Sequence, residues 1–119
     1  MMSEDQPDPK RLENWFKVSS NDETILIDAT PPGRDKWSAE IKWSEIERVC
    51  YGTTDFLYSD EIFLFVKGRK ESYHIPIDAD GGIDLWNGII DRKLFDAELA
   101  IKVATADIGR VYCWPPIEN

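Results

Sequence analysis

The chain has 119 residues, of which 42% are hydrophobic and 12% aromatic, and its 14 basic and 23 acidic side chains give a net charge of −9. This size and composition predict a folded domain with a continuous core and exclude an intrinsically disordered chain. The negative charge repels nucleic acid and anionic membranes, so any protein partner is expected to be basic.

Residues 1–11 predict a disordered acidic tail, because they are polar and contain Pro7 and Pro9. Residues 12–119 are expected to form a single globular domain. The N-terminus lacks the basic start and apolar core of a signal peptide, and no stretch approaches the roughly 20 apolar residues of a membrane span. These features predict a cytoplasmic protein.

The two cysteines, Cys50 and Cys113, bear on the cellular compartment. Their spacing is not that of a zinc site, and each lies in an apolar run that contains aromatic residues. We therefore expect both thiols to be reduced, as is usual in the cytosol, and buried as small apolar side chains.

Short apolar or alternating runs, which are typical of strands, dominate the chain up to residue 77. They occupy residues 12–18, 24–27, 37–43, 49–51, 62–66 and 72–77. The run at 62–66 is apolar throughout, which predicts a strand covered on both faces. It is expected to form a hairpin with the next run, where Pro76 must lie at an edge or at the strand end because it has no N–H. The S-x-x-E motif at 44–47 predicts at most one helical turn.

Beyond residue 84 the hydrophobic period becomes helical, and the apolar side chains of residues 85–90 predict one helix. Asp96 is placed to cap a second helix and Gly109 to end it. Residues 111–114 then predict a final strand, which the following proline pair stops. The predicted fold class is α+β: a mainly antiparallel bent sheet packed by two C-terminal helices, with a final short strand.

Several short motifs follow one another along most of the chain. They are W-x-x-I-x-x-V at 43–49, T-T-D at 53–55, I-P-x-D-A-x-G at 75–81 and F-D at 95–96. In this order and spacing the chain resembles a family of small uncharacterised bacterial proteins, which implies a single cytosolic domain without an assigned reaction. The first motif is more weakly similar to bacterial pleckstrin-homology-like domains, where it joins two strands of a bent sheet. That similarity implies a partial barrel.

Three aspartates, Asp78, Asp80 and Asp84, surround the pair Gly81 and Gly82 in a pattern that suggests a cation site. However, positions 5, 6 and 12 of an EF-type calcium loop starting at Asp78 lack the required oxygen ligand, glycine and glutamate. The carboxylates would repel a phosphate, and no P-loop lysine follows. We therefore predict a strand-to-helix turn in which Asp80 caps the helix and Asp84 meets its positive dipole end.

His74 is the only histidine, and it alternates with apolar residues in a predicted strand. It could act as a base for Ser72 or for a cysteine, but no nucleophile-elbow pattern accompanies them. We therefore expect no catalytic residue, metal or cofactor.

Three carboxylates, Asp55, Asp60 and Glu61, lie near Tyr58 and form a second acidic region. Aromatic side chains mixed with carboxylates are typical of surfaces that recognise basic proteins. Alternatively, these charges protect an edge strand from aggregation. We take these four residues as the candidate partner-binding site.

The favoured hypothesis is a non-enzymatic protein-interaction module, for example an immunity-type protein that masks a basic toxin. The alternative is a small-molecule sensor or enzyme with a pocket between the sheet and the helices. That alternative rests on a surplus of tryptophans, namely Trp37, Trp43, Trp86 and Trp114.

Overall fold

A computed structural model describes residues 12–53, 60–105 and 109–116, and it confirms the α+β class. The elements follow in the order α1 (Leu12–Trp15), β1 (Phe16–Ser20), β2 (Thr24–Ala29), β3 (Trp37–Lys42), a 3₁₀ helix (Trp43–Glu45), β4 (Ile46–Gly52), β5 (Glu61–Val66), β6 (Tyr73–Pro76), α2 (Gly82–Asp91), α3 (Ala97–Ala104) and β7 (Val111–Trp114). The predicted N-terminal strand begins later than expected, because residues 12–15 form a helical turn. The tail at 1–11 lies outside the described residues.

The described strands divide between two antiparallel sheets that do not close into a barrel. The three-stranded sheet has the order β1-β2-β3, and the four-stranded sheet has the order β6-β5-β4-β7. The predicted single helical turn is confirmed as the 3₁₀ helix, which carries the chain from one sheet to the other. Its first residue, Trp43, donates its indole N–H to the Asn21 carbonyl at 2.8 Å and is covered by the Arg92 guanidinium.

One continuous core joins the inner faces of both sheets to the buried sides of the helices. Alternation along each strand directs every second side chain into it. The members exposed by 1% or less are Ile25, Ile27, Ala29, Val49, Ile62, Leu64, Ile75, Leu85, Ile89 and Phe95. Apolar burial of this extent is the main stabilising term of such a domain.

The beginning of α3 follows the prediction closely. Asp96 caps α3, because its side chain accepts a hydrogen bond from the Leu99 N–H at 3.0 Å. The end of α3 differs, since the helix stops at Ala104 and Gly109 instead donates its N–H to the Thr53 carbonyl. No described helix is long and apolar enough to cross a membrane.

The segment around Asp80 covers the free edge of β1, which explains its unusual sequence. Asp80 donates its N–H to the Phe16 carbonyl, and its own carbonyl accepts from the Val18 N–H. The expectation that Asp80 caps α2 is therefore wrong: Gly81 is the N-cap residue, and the Asp80 carboxylate lies 3.6 Å from the Lys17 amine. Gly81 has φ +88°, where a side chain would overlap the Val18 carbonyl oxygen.

The expectation of two reduced thiols is also wrong, because Cys50 and Cys113 form a disulfide. The two residues lie directly opposite each other on β4 and β7, where cross-strand side chains come closest. Cys50 is buried as expected, with 2% of its surface exposed, whereas Cys113 is only half-buried. The bridge fastens the C-terminal strand to the centre of the four-stranded sheet.

Candidate functional site

The predicted acidic region divides into parts with different environments. Asp55 and Tyr58 lie outside the described residues. Asp60 and Glu61 are adjacent at the beginning of β5 but have different partners. Asp60 accepts a hydrogen bond from the Tyr51 hydroxyl at 2.9 Å, and Glu61 lies 3.8 Å from Nδ1 of His74. The structure therefore does not bring these two carboxylates together into one acidic surface.

Tyr51 links the acidic region to the helices. Its ring is 8% exposed and packs against Trp86 with the ring centroids 4.8 Å apart. Burial, the hydrogen bond to Asp60 and the charges of Asp60 and Asp78 all raise the pKa of Tyr51 well above its usual range. Because Asp60 serves as the acceptor for a buried phenol, it stabilises the fold in addition to carrying charge.

We expect Tyr51→Phe to lower the free energy of unfolding by about 1 to 3 kcal/mol at pH 7, through loss of a hydrogen bond to a charged group. Above about pH 10 the unfolded tyrosine ionises while the folded one keeps its proton, so wild-type stability falls as the pH rises. Tyr51→Phe has no ionisable group at this position, so the difference in free energy of unfolding between wild type and variant should become smaller above about pH 10. Urea unfolding of both proteins between about pH 7 and 11 measures this difference. A difference in free energy of unfolding that does not change with pH would contradict the prediction.

The outward-facing side of the four-stranded sheet, here called the outer face, carries a row of mainly apolar side chains. Strand register places His74, Phe63, Cys50 and Cys113 side by side across β6, β5, β4 and β7. Phe65 lies next to Phe63 along β5, and the adjacent row contains Glu61, Gly52 and Val111. None of these side chains belongs to the continuous core.

The packing of the outer face explains why its aromatic rings are only half-buried. The Phe63 ring lies over Gly52, where a side-chain carbon would come within 3.0 Å of it, and contacts the His74 ring edge-on at 4.6 Å between centroids. Val111 at the edge is 63% exposed. The expectation that β5 is covered on both faces therefore fails within the described residues, because Phe63 and Phe65 lack the cover that Ile62 and Leu64 have.

Sequence reasoning missed this face because the run at 62–66 is apolar at every position. The alternating signal that separates an inner from an outer side is thus absent from β5 itself. A weak signal comes from Arg48 on the neighbouring strand β4 and from Glu61 at the first position of β5, since both are charged and project to the outer side. These two residues give the apolar outer face a polar rim.

The described tryptophans and clefts do not form an enclosed site. Trp86 packs between Tyr51 and Phe95, and Trp43 is held by its hydrogen bond to Asn21. A cleft of about 300 Å³ lies between β1 and the beginning of α2, and a second of about 470 Å³ lies between β3 and β6. In the described part of the chain, no group of three or more metal-ligating side chains is arranged to hold a metal ion.

Comparisons with protein-family models, with curated proteins and with solved structures found no match. The resemblance to a family of small bacterial proteins therefore stays a prediction, as does the weaker similarity to pleckstrin-homology-like domains.

Proposed function

We propose that the protein is a non-enzymatic protein-interaction module that binds a basic partner through the outer face. The observation that carries the proposal is the half-buried pair Phe63 and Phe65, which lies outside the core and beside the exposed Val111. Aromatic side chains on a sheet face are suited to anchor a partner, because they bury a large area when they are covered.

The net charge of the chain, −9, supports a basic partner. At the rim of the outer face the acidic Glu61 lies beside His74 and the basic Arg48 lies beside Phe65, so this argument rests on the charge of the whole chain. A field of this sign speeds the approach of a positively charged protein and weakens with salt. One concrete form of the proposal is an immunity-type protein that masks a basic toxin, with Glu61 as a steering charge beside the outer face.

The alternative, a small-molecule sensor or enzyme, needs space between the sheets and the helices. At that interface Leu85, Ile89 and Phe95 are at most 1% exposed, and the cleft of about 300 Å³ between β1 and the beginning of α2 is at the lower end of the volumes of ligand pockets. The outer face is thus the better candidate for binding.

We also propose a cytoplasmic location on the basis of the acidic composition. Disulfides are rare in that compartment unless they are transient, so this proposal implies that the Cys50–Cys113 bridge is reversible in the cell.

The outer face is tested by replacing Phe63 and Phe65 with glutamine and comparing captured basic proteins by quantitative mass spectrometry. We expect partner affinity to fall by about 30-fold or more, the effect of losing an interface hot spot. The matched control replaces Ile83 and Ile101 with glutamine as well. These two side chains are 63% and 70% exposed on the helices, so the control should leave the capture of basic proteins unchanged. Equal capture by all three folded proteins, or capture insensitive to salt, would contradict the proposal.

A further inference from the structure

A cleft of about 470 Å³ separates β3 from β6, the strands at the open ends of the two described sheets. Its lining includes Trp37, Ala39, Arg69, Glu71, Tyr73 and His74. End strands carry a row of backbone N–H and C=O groups that no neighbouring strand pairs. Both walls of this cleft therefore belong to strands that can accept a further strand.

The hydrogen-bond alternation shows which groups of β3 are free. Trp43 donates its backbone N–H to the Glu23 carbonyl, and in antiparallel pairing every second residue from there along β3 forms such hydrogen bonds with β2. Residues 37, 39 and 41 consequently direct their backbone groups to β2, whereas Ser38 and Glu40 direct theirs away from it. β3 is six residues long and contains no proline, so this free edge can pair with an extended chain.

The edge of β6 is less suited to pairing. Ile77 donates its backbone N–H to the Asp60 carbonyl. By alternation, the backbone groups of Tyr73 and Ile75 bond to β5, whereas those of His74 point to the open edge. The strand has only four residues and ends at Pro76, which has no N–H to donate. β3 is therefore the better site for an added strand.

Side chains around the cleft specify the chemistry of that strand. Trp37 is 38% exposed and meets Phe16 edge-on, and the Tyr73 ring is covered by the Arg69 guanidinium at 4.0 Å. Apolar side chains of an added strand would contact these rings. On the other side of β3, Glu40 is exposed and forms no ion pair with any described residue, and Lys42 follows it on the same side. A basic side chain opposite Glu40 would complement it.

We propose that an extended segment of a partner protein, with apolar residues alternating with lysine or arginine, adds to the free edge of β3. It forms a fourth strand of the three-stranded sheet, with its apolar side chains against Trp37 and Tyr73. Main-chain hydrogen bonds supply affinity, and the alternating side chains supply selectivity. The cleft borders the outer face at His74, but the free edge of β3 belongs to the other sheet, and neither proposal depends on the other.

The test uses an end-capped nine-residue peptide of alternating valine and lysine, with an alternating valine and glutamate peptide as its charge control. Binding is followed by NMR of the labelled protein, and we expect the Ser38 and Glu40 amides to become protected from hydrogen exchange. Glu40→Lys should weaken binding by about 2- to 5-fold, since a cross-strand charge pair has an effect of this size. The variant in which glutamine replaces Phe63 and Phe65 should still bind the valine and lysine peptide.

Ser38→Pro is the decisive variant, because it removes one N–H from the free edge without breaking the pairing to β2. We expect it to weaken peptide binding more than tenfold, whereas Ser72→Pro on the β6 side leaves binding unchanged. The reverse pattern would overturn the proposal, as would equal binding of both peptides. A wild-type dimer that Ser38→Pro dissociates would also overturn it, because the occupant would then be a second copy of the chain.

Discussion

Gly81→Ala is expected to lower the free energy of unfolding by about 3 to 5 kcal/mol, although it adds one methyl group. Gly81 has φ +88°, which costs an alanine about 1 to 3 kcal/mol. The added carbon would also overlap the Val18 carbonyl oxygen, so the Asp80 segment would have to move away from β1. That movement breaks the two backbone hydrogen bonds between Asp80 and β1, at about 1 kcal/mol each.

Gly33→Ala is the matched control for this prediction. Gly33 also has a positive φ, +70°, but no atom lies within 4 Å of an added side-chain carbon. The control thus measures only the cost of a positive φ for alanine, and we expect it to lower the free energy of unfolding by only about 1 kcal/mol. Denaturant unfolding of both variants measures the difference. Equal losses would show that the contact of the Gly81 backbone with β1 does not contribute to stability.

The parts of the fold that local sequence determines were predictable. Asp96 is followed at once by a helical apolar pattern, and its side chain does cap α3. The hairpin of β5 and β6 follows from two apolar runs around a short polar turn, and Pro76 ends it as its chemistry requires.

Contacts between distant segments were not predictable. Local sequence predicts that Asp80 caps the helix, because capping is a local rule, whereas its actual partners on β1 lie more than sixty residues earlier in the chain. Cys50 and Cys113 carry no mark of their pairing, since only the sheet order places β7 beside β4. The outer face was hidden for a related reason: the wholly apolar β5 does not show which of its sides meets the core.

Reduction of the Cys50–Cys113 disulfide is expected to lower the free energy of unfolding by about 4 kcal/mol. The bridge joins residues 63 positions apart, and cross-linking so long a loop removes much of the conformational freedom of the unfolded chain. For a domain of this size, such a loss corresponds to a decrease in melting temperature of about 10 to 20 °C. Thermal unfolding with and without a thiol reductant measures the effect.

The double variant Cys50→Ala and Cys113→Ala is the control, because it should be less stable than the oxidised protein and indifferent to reductant. Wild-type protein with two titratable thiols and no response to reductant would contradict the prediction.

Reduction of the disulfide should also affect binding. Both cysteines belong to the outer face, and the bridge fastens β7, with its exposed Val111, beside Phe63. If reduction loosens β7, partner binding through the outer face should weaken with it, whereas peptide binding at β3, which belongs to the other sheet, should persist for as long as the domain stays folded.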